Sequence, residues 1–144
     1  MAILDKASTP AIPENAPAVL LIDDDNEIRE TASILLGANG YRVFAAGSRA
    51  EAMEVLPKKK IHVVIQDLIL PDARDIDLFN EIRSVRPTMP VIICTGVGFA
   101  RIKREMLRAP LVFYLEKPYT CSALCASIMG ALCAAAQAPR TGLV

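Results

Sequence analysis

The chain has 144 residues, enough for one domain with a single core and short for two. Hydrophobic residues make up 53% and charged residues 22%, a balance that excludes an intrinsically disordered chain. Sixteen basic residues meet sixteen acidic ones, so there is no basic surplus to form a nucleic-acid surface or a polybasic membrane anchor.

No apolar run approaches the ~20 residues that span a bilayer. The first twenty residues carry Asp5, Lys6 and three prolines (Pro10, Pro13, Pro17) and no continuous apolar stretch, unlike a secretory signal, so a cytoplasmic address is expected. Residues 1–17 read as a flexible leader or linker, 18–137 as one folded domain and 138–144 as a C-terminal tail.

From Ala18 the pattern changes. Ala18 to Ile22 is a short apolar run ending in acid, as in a strand buried on both faces. Asp25 or Asn26 then caps a helix with Ile28, Ala32, Leu35 and Leu36 on one face, and Gly37 and Gly40 frame its end. Tyr41 to Ala45 reads as a second strand, and Ser48 caps a second helix stopped by Pro57. His62 to Asp67 is a third strand, again ending in acid. A loop with Pro71 leads to a helix carrying Ile76, Phe79, Ile82 and Val85 and closed by Pro87. Pro90 to Thr95 is a fourth strand, about Phe99 to Leu107 a fourth helix, and Leu111 to Leu115 a fifth strand. Thr120 opens a long Ala-rich helix lasting to about Gln137.

Strands and helices that alternate in this way predict an α/β fold: a five-stranded, doubly wound parallel sheet covered on both faces. In such sheets ligands bind at the carboxyl ends of the strands, near the point where strand order reverses. The first strand ends in Asp23-Asp24-Asp25, the third in Asp67, the fourth in Thr95-Gly96 and the fifth in Glu116-Lys117-Pro118. Crowded carboxylates repel one another. A hard divalent cation bound by oxygens offsets that cost, and Mg²⁺ suits a cluster with few protein ligands and several waters. Two of the acids can hold the metal while a third carboxylate attacks phosphorus. Mg²⁺, the Lys117 ammonium and the Thr95 hydroxyl with backbone N–H groups then share the charge on the three phosphoryl oxygens. The first strand–helix turn lacks the glycines of a dinucleotide fingerprint.

The runs Leu21-Ile22-Asp23-Asp24-Asp25, Asp67-Leu68-Ile69-Leu70-Pro71-Asp72, Cys94-Thr95-Gly96 and Glu116-Lys117-Pro118-Tyr119 resemble the receiver domains of two-component response regulators. The resemblance covers roughly Ala18 to Gln137 and implies a CheY-like fold with strand order 2-1-3-4-5. It implies Asp67 as phosphoacceptor, and Asp23, Asp24, Asp67 and the Ile69 carbonyl as Mg²⁺ ligands. Thr95 and Lys117 match the residues that bind the phosphoryl oxygens, and Tyr114 matches the aromatic switch position. The implied donor is a histidine kinase or phosphotransfer protein. The implied output is a protein partner on the face of helix 4, strand 5 and helix 5, and a homodimer stays open.

One departure concerns the loop after the acceptor. Asp75 stands where the family usually has Gly, at a position where Asp would tolerate a left-handed backbone. Ile69 and Val97 are both apolar, and we expect them to hinder an attacking water and slow loss of the phosphoryl group.

Plainer readings also apply. Asp25 reads as a helix cap, His62 as a surface residue and Lys58-Lys59-Lys60 as a solvated loop. Cys121, Cys125 and Cys133 read as small residues packing on the core rather than as a metal or redox site. A pseudo-receiver that keeps the fold without the chemistry is the alternative function. An aspartyl phosphohydrolase would need a second acid where Ile69 stands. Few residues follow the last helix, so no DNA-binding segment is expected in the chain. A stand-alone regulator and a receiver excised from a hybrid histidine kinase are both compatible with that.

Overall fold

In the computed structural model, which describes residues 12–96, 102 and 104–138, five parallel strands form one sheet. They are β1 (Ala18–Ile22), β2 (Arg42–Ala46), β3 (Val63–Asp67), β4 (Val91–Thr95) and β5 (Val112–Glu116). Their spatial order is β2-β1-β3-β4-β5, so chain order reverses between β1 and β3. The helices are α1 (Asn26–Ala38), α2 (Arg49–Val55), α3 (Asp75–Val85), α4 (Arg104–Arg108) and α5 (Cys121–Gln137). A two-stranded antiparallel ribbon, Ile69–Leu70 with Ala73–Arg74, lies between β3 and α3.

The central strands are apolar up to their carboxyl ends, where Gln66, Asp67 and Thr95 stand, because both faces are covered. Ala18, Leu20, Ile22, Val64, Val91 and Ile93 point into a core closed by α2, α3 and α4, with Leu78, Phe79, Ile82 and Met106 opposite. Val19, Leu21, Ile65, Ile92 and Cys94 point the other way, onto Leu36, Leu124, Ile128 and Ala131 of α1 and α5. The sheet is thus the middle of three layers. Among the described residues no helix is long and apolar enough to cross a membrane.

Asp25, Ser48 and Thr120 accept hydrogen bonds from the first-turn N–H groups of α1, α2 and α5, as their sequence positions predict. Gly37 lies inside the last turn of α1 rather than beyond it. The Tyr41 N–H reaches the Leu36 carbonyl and the Gly40 N–H the Gly37 carbonyl, with Gly40 at φ +90°, so the chain leaves α1 by a Schellman turn. Tyr41 closes that turn, and β2 starts one residue later than expected.

His62 is not a bystander on the surface: its Nδ1 accepts the Ala18 N–H at 2.9 Å and ties the start of β3 to that of β1. Asp75 takes a helical backbone as the first residue of α3, and the ribbon before it turns the chain. The left-handed residue of the described chain other than Gly is instead Leu111, at φ +57°. Of the fourth helix, only Arg104–Arg108 falls within the described residues, while Val97 and Phe99 lie outside them. Ile12 to Pro17 form a turn against α1 and β2, with Ala16 buried and its carbonyl accepting from Arg42 Nε.

Two glycines test this account with opposite signs. A Cβ on Gly40 or on Gly130 would meet no atom within 4 Å, so packing does not decide either case. Gly40→Ala forces a left-handed alanine and is expected to destabilise by about 1 kcal/mol. Gly130→Ala sits within α5 and is expected to stabilise by up to about 1 kcal/mol. Urea unfolding of both variants beside wild type checks the pair.

Candidate functional site

Register assembles the rim. Ile22 pairs with Gln66, which brings Asp23 level with Asp67 one residue further on. Asp67 pairs with Cys94, so Thr95 stands one step beyond it on β4. Thr95 pairs with Glu116, and Lys117 follows past the end of β5. Each acid or donor therefore stands at a carboxyl end, where the helices no longer cover the sheet.

Asp23, Asp24 and Asp67 each offer a carboxylate oxygen within 4.8 Å of the others. Among the described residues this is the one cluster of three His, Cys, Asp or Glu side chains close enough to share a metal ion. Asp23 and Asp67 are buried and Asp24 is exposed, so the donor set is hard, anionic and open to water on one side. That chemistry fits a small divalent cation. Asp25 lies outside the cluster and serves α1 as its cap.

Lys117 reaches back over the rim. Its Nζ donates to Asp23 Oδ2 at 2.8 Å and to Asp67 Oδ2 at 3.1 Å, which engages two of its three donors. Burial works against the ammonium, but the hydrogen bond to Asp23 and the charge of Asp67 outweigh it and hold its pKa above the ordinary lysine value. The Asp67 pKa is raised as well, so here the neutral form gains. Burial pushes its carboxyl up, Asp23 adds to the effect, and the Ile69 N–H and Lys117 only partly offset it. The Ile69 N–H donates to Asp67 Oδ1 at 3.2 Å. The Ile69 side chain is 63% exposed beside the acceptor.

Thr95 is buried at the end of β4, and its carbonyl accepts the Lys117 N–H at 2.8 Å, so the threonine and the lysine are joined through the backbone. Tyr114 is half-buried and packs with the core of α2, α3 and α4, and burial raises its phenol pKa. Tyr119 lies on the other side, where burial pushes its phenol up to about 12. Cys94 supports the rim from below, its thiol pushed up to about 12 by burial. Cys121 and Cys125 are half-buried on α5, whereas Cys133 is exposed and does not pack inward.

The sequence reading singled out neither Arg29 nor the residues that hold the loop after Asp67. Arg29 donates to the Asp23 carbonyl at 2.7 Å. Asp72 accepts the N–H groups of Arg49 and Ala50 at 2.9 and 3.2 Å, while the Arg49 guanidinium grips Glu81 through two bonds. These ties join the loop after Asp67 to α2 and α3. Asp72 was part of the recognised motif, but its partners lie more than 20 positions away and carry no local signal.

The sequence profile of the response regulator receiver domain matches residues 19–129. The transcriptional regulatory protein GlrR of Escherichia coli is 36% identical over 114 residues, which are 79% of this chain and 26% of that protein. The response regulator protein FleR of Pseudomonas aeruginosa is 33% identical over 76% of this chain and 23% of its own length. The chain thus spans about a quarter of the length of these curated relatives. Among solved structures, a response regulator receiver domain protein from Clostridium thermocellum is 32% identical, with a TM-score of 0.73 over 81% of this chain and 94% of its own. With the profile covering most of the chain and GlrR above 30% identity across most of it, this chain belongs to the family of response regulator receiver domains.

Proposed function

We propose that the chain is the phosphoacceptor of a cytoplasmic two-component phosphorelay, taking a phosphoryl group onto Asp67 from a phosphohistidine of a histidine kinase or phosphotransfer protein. The observation that carries this reading is the convergence of three carboxylates within 4.8 Å under a lysine that bridges two of them. A purely structural rim has no use for such crowding, which costs stability. The pseudo-receiver alternative would tolerate loss of any one member, and the acid, hydroxyl and lysine set is complete.

Asp23, Asp24, Asp67 and the Ile69 carbonyl would hold Mg²⁺, which when bound neutralises charge on the phosphoryl oxygens. An Asp67 carboxylate oxygen attacks phosphorus in line with the departing imidazole. The P–O bond forms as the P–N bond breaks, and the electron pair leaves on the histidine nitrogen. Lys117 presents its third donor to a phosphoryl oxygen and the Thr95 hydroxyl approaches another. The Thr95 displacement draws on the same backbone that carries Lys117, and the Tyr114 ring follows on the neighbouring strand. The face of α4, β5 and α5 then offers a changed surface to a downstream partner.

Two measurements test the acceptor. Intact mass after incubation with Mg²⁺ and acetyl phosphate should rise by about 80 Da for wild type and not for Asp67→Asn. No rise in a folded wild type would favour the pseudo-receiver.

The second measurement is stability without divalent cation. The Asp67 pKa is raised in the folded state, so folding favours its protonated form and the ionised form costs stability above that pKa. Asp67→Asn should therefore melt a few degrees above wild type at neutral pH. The gap should close as pH falls through the titration of Asp67.

A further inference from the structure

The turn that carries Asp23 and Asp24 is held from outside. Arg29, one turn into α1, folds back so that Nη1 donates to the Asp23 carbonyl at 2.7 Å and Nη2 to Asn26 Oδ1 at 3.1 Å. The same guanidinium lies against Gly47, between β2 and α2. A Cβ on Gly47 would stand 2.8 Å from Arg29 Nη1 and 3.1 Å from Cζ. Gly47 does not have the left-handed φ of Gly40, so its backbone would accept alanine. Its lack of a side chain makes room for Arg29.

The seat is itself fixed. The Gly47 N–H donates to Glu51 Oε2 at 2.7 Å, and the Asp23 N–H to the neighbouring Ala46 carbonyl at 3.1 Å. The acidic turn and the β2–α2 loop are therefore joined twice, once by backbone and once through Arg29.

Resting on the cation reading given above, we propose that Arg29 is a positioning residue for divalent-cation binding at Asp23 and Asp24, and that Gly47 is its seat. Arg29 engages the backbone carbonyl of Asp23 and leaves that side chain to others: Oδ1 accepts the Asp25 N–H and Oδ2 meets Lys117. It places a positive charge beside the acidic turn without occupying the oxygens that a cation needs. Fixing the Asp23 carbonyl fixes the peptide that leads to Asp24. Asp24 is exposed, so the direction of its carboxylate follows from the backbone that carries it. Neighbours that orient ligands in this way commonly tune affinity as strongly as a weak ligand does.

Calorimetric titration of the full chain with Mg²⁺ tests this, with urea unfolding of each cation-free variant run alongside. Arg29→Ala should weaken Mg²⁺ binding about tenfold, and Arg29→Lys, which keeps one donor, should recover part of that loss. Gly47→Ala displaces only the flexible end of Arg29, so it should fold and also weaken binding several-fold. Added to Arg29→Ala, it should do nothing further, because its contact is already gone. Wild-type affinity in Arg29→Ala would overturn the proposal. So would a Gly47→Ala effect that persists undiminished in the double variant. A wild type that itself takes up no Mg²⁺ would sink the cation reading and this inference with it, an outcome distinct from equal binding by wild type and Arg29→Ala.

Discussion

Two buried carboxylates side by side at the edge of a parallel sheet, bridged by one ammonium, set the terms for the rest of this molecule. Asp23 and Asp67 arrive at the same level because β1 and β3 are adjacent and in register, not because of any attraction between them. Their repulsion and desolvation are imposed by the sheet and answered by Lys117. The compensation is incomplete, since the Asp67 carboxyl stays above its ordinary range despite the lysine. The site thus favours whatever adds positive charge or removes negative charge there.

A rim with that demand needs a scaffold that does not yield. The three central strands are buried along their whole length, and apolar side chains cover both of their faces. Burial of this kind gives roughly 25 cal/mol per Å², so a five-residue strand closed on both sides outweighs the cost of one crowded acid. Loops finish the work that the sheet begins. Arg83 lies over Phe79 and sends its guanidinium to the carbonyls of Met89, Pro110 and Leu111, which ties the starts of β4 and β5 to α3. Asp72 and the Arg49–Glu81 pair do the same for the loop beyond Asp67.

The sequence discloses the parts of this design that are periodic or local. Strands buried on both faces appear as short apolar runs, which places β1, β3 and β4, while the partly buried β2 and β5 follow from the alternation with helices. The acids ending β1 and β3 stand out against such runs. Caps are legible too, because Asp25, Ser48 and Thr120 act within three residues of themselves. Errors fall where a residue's role rests on a hydrogen bond or contact that the pattern of its own segment does not announce. Tyr41 looks like a strand residue and closes a helix. His62 looks like a surface residue and joins two strands 44 positions apart. Arg29 looks like any charged helix residue, because nothing in its own segment announces a glycine eighteen positions later that makes room for it.

The same distinction separates the chemistry of the site from its precision. Carboxylate, hydroxyl and amine can be picked out from residue type and place at a strand end, since the proposed phosphoryl transfer would draw on those groups. How well they are held is a matter of backbone carbonyls and N–H groups. Asp23 is fixed at its N–H by Ala46, at its carbonyl by Arg29, at Oδ1 by the Asp25 N–H and at Oδ2 by Lys117. Three of those four partners belong to loops or to a helix, and the one that is itself an acid of the motif, Asp25, contributes its backbone N–H and not its carboxylate. An aspartate held at four points has little freedom to reorient, so its geometry persists whether or not its charge is balanced. Asp24, next to it and exposed, inherits its direction through one peptide. Sequence can therefore show which residues meet at this rim, whereas the quality of their meeting rests on contacts that form only once the sheet has brought β1 beside β2 and β3.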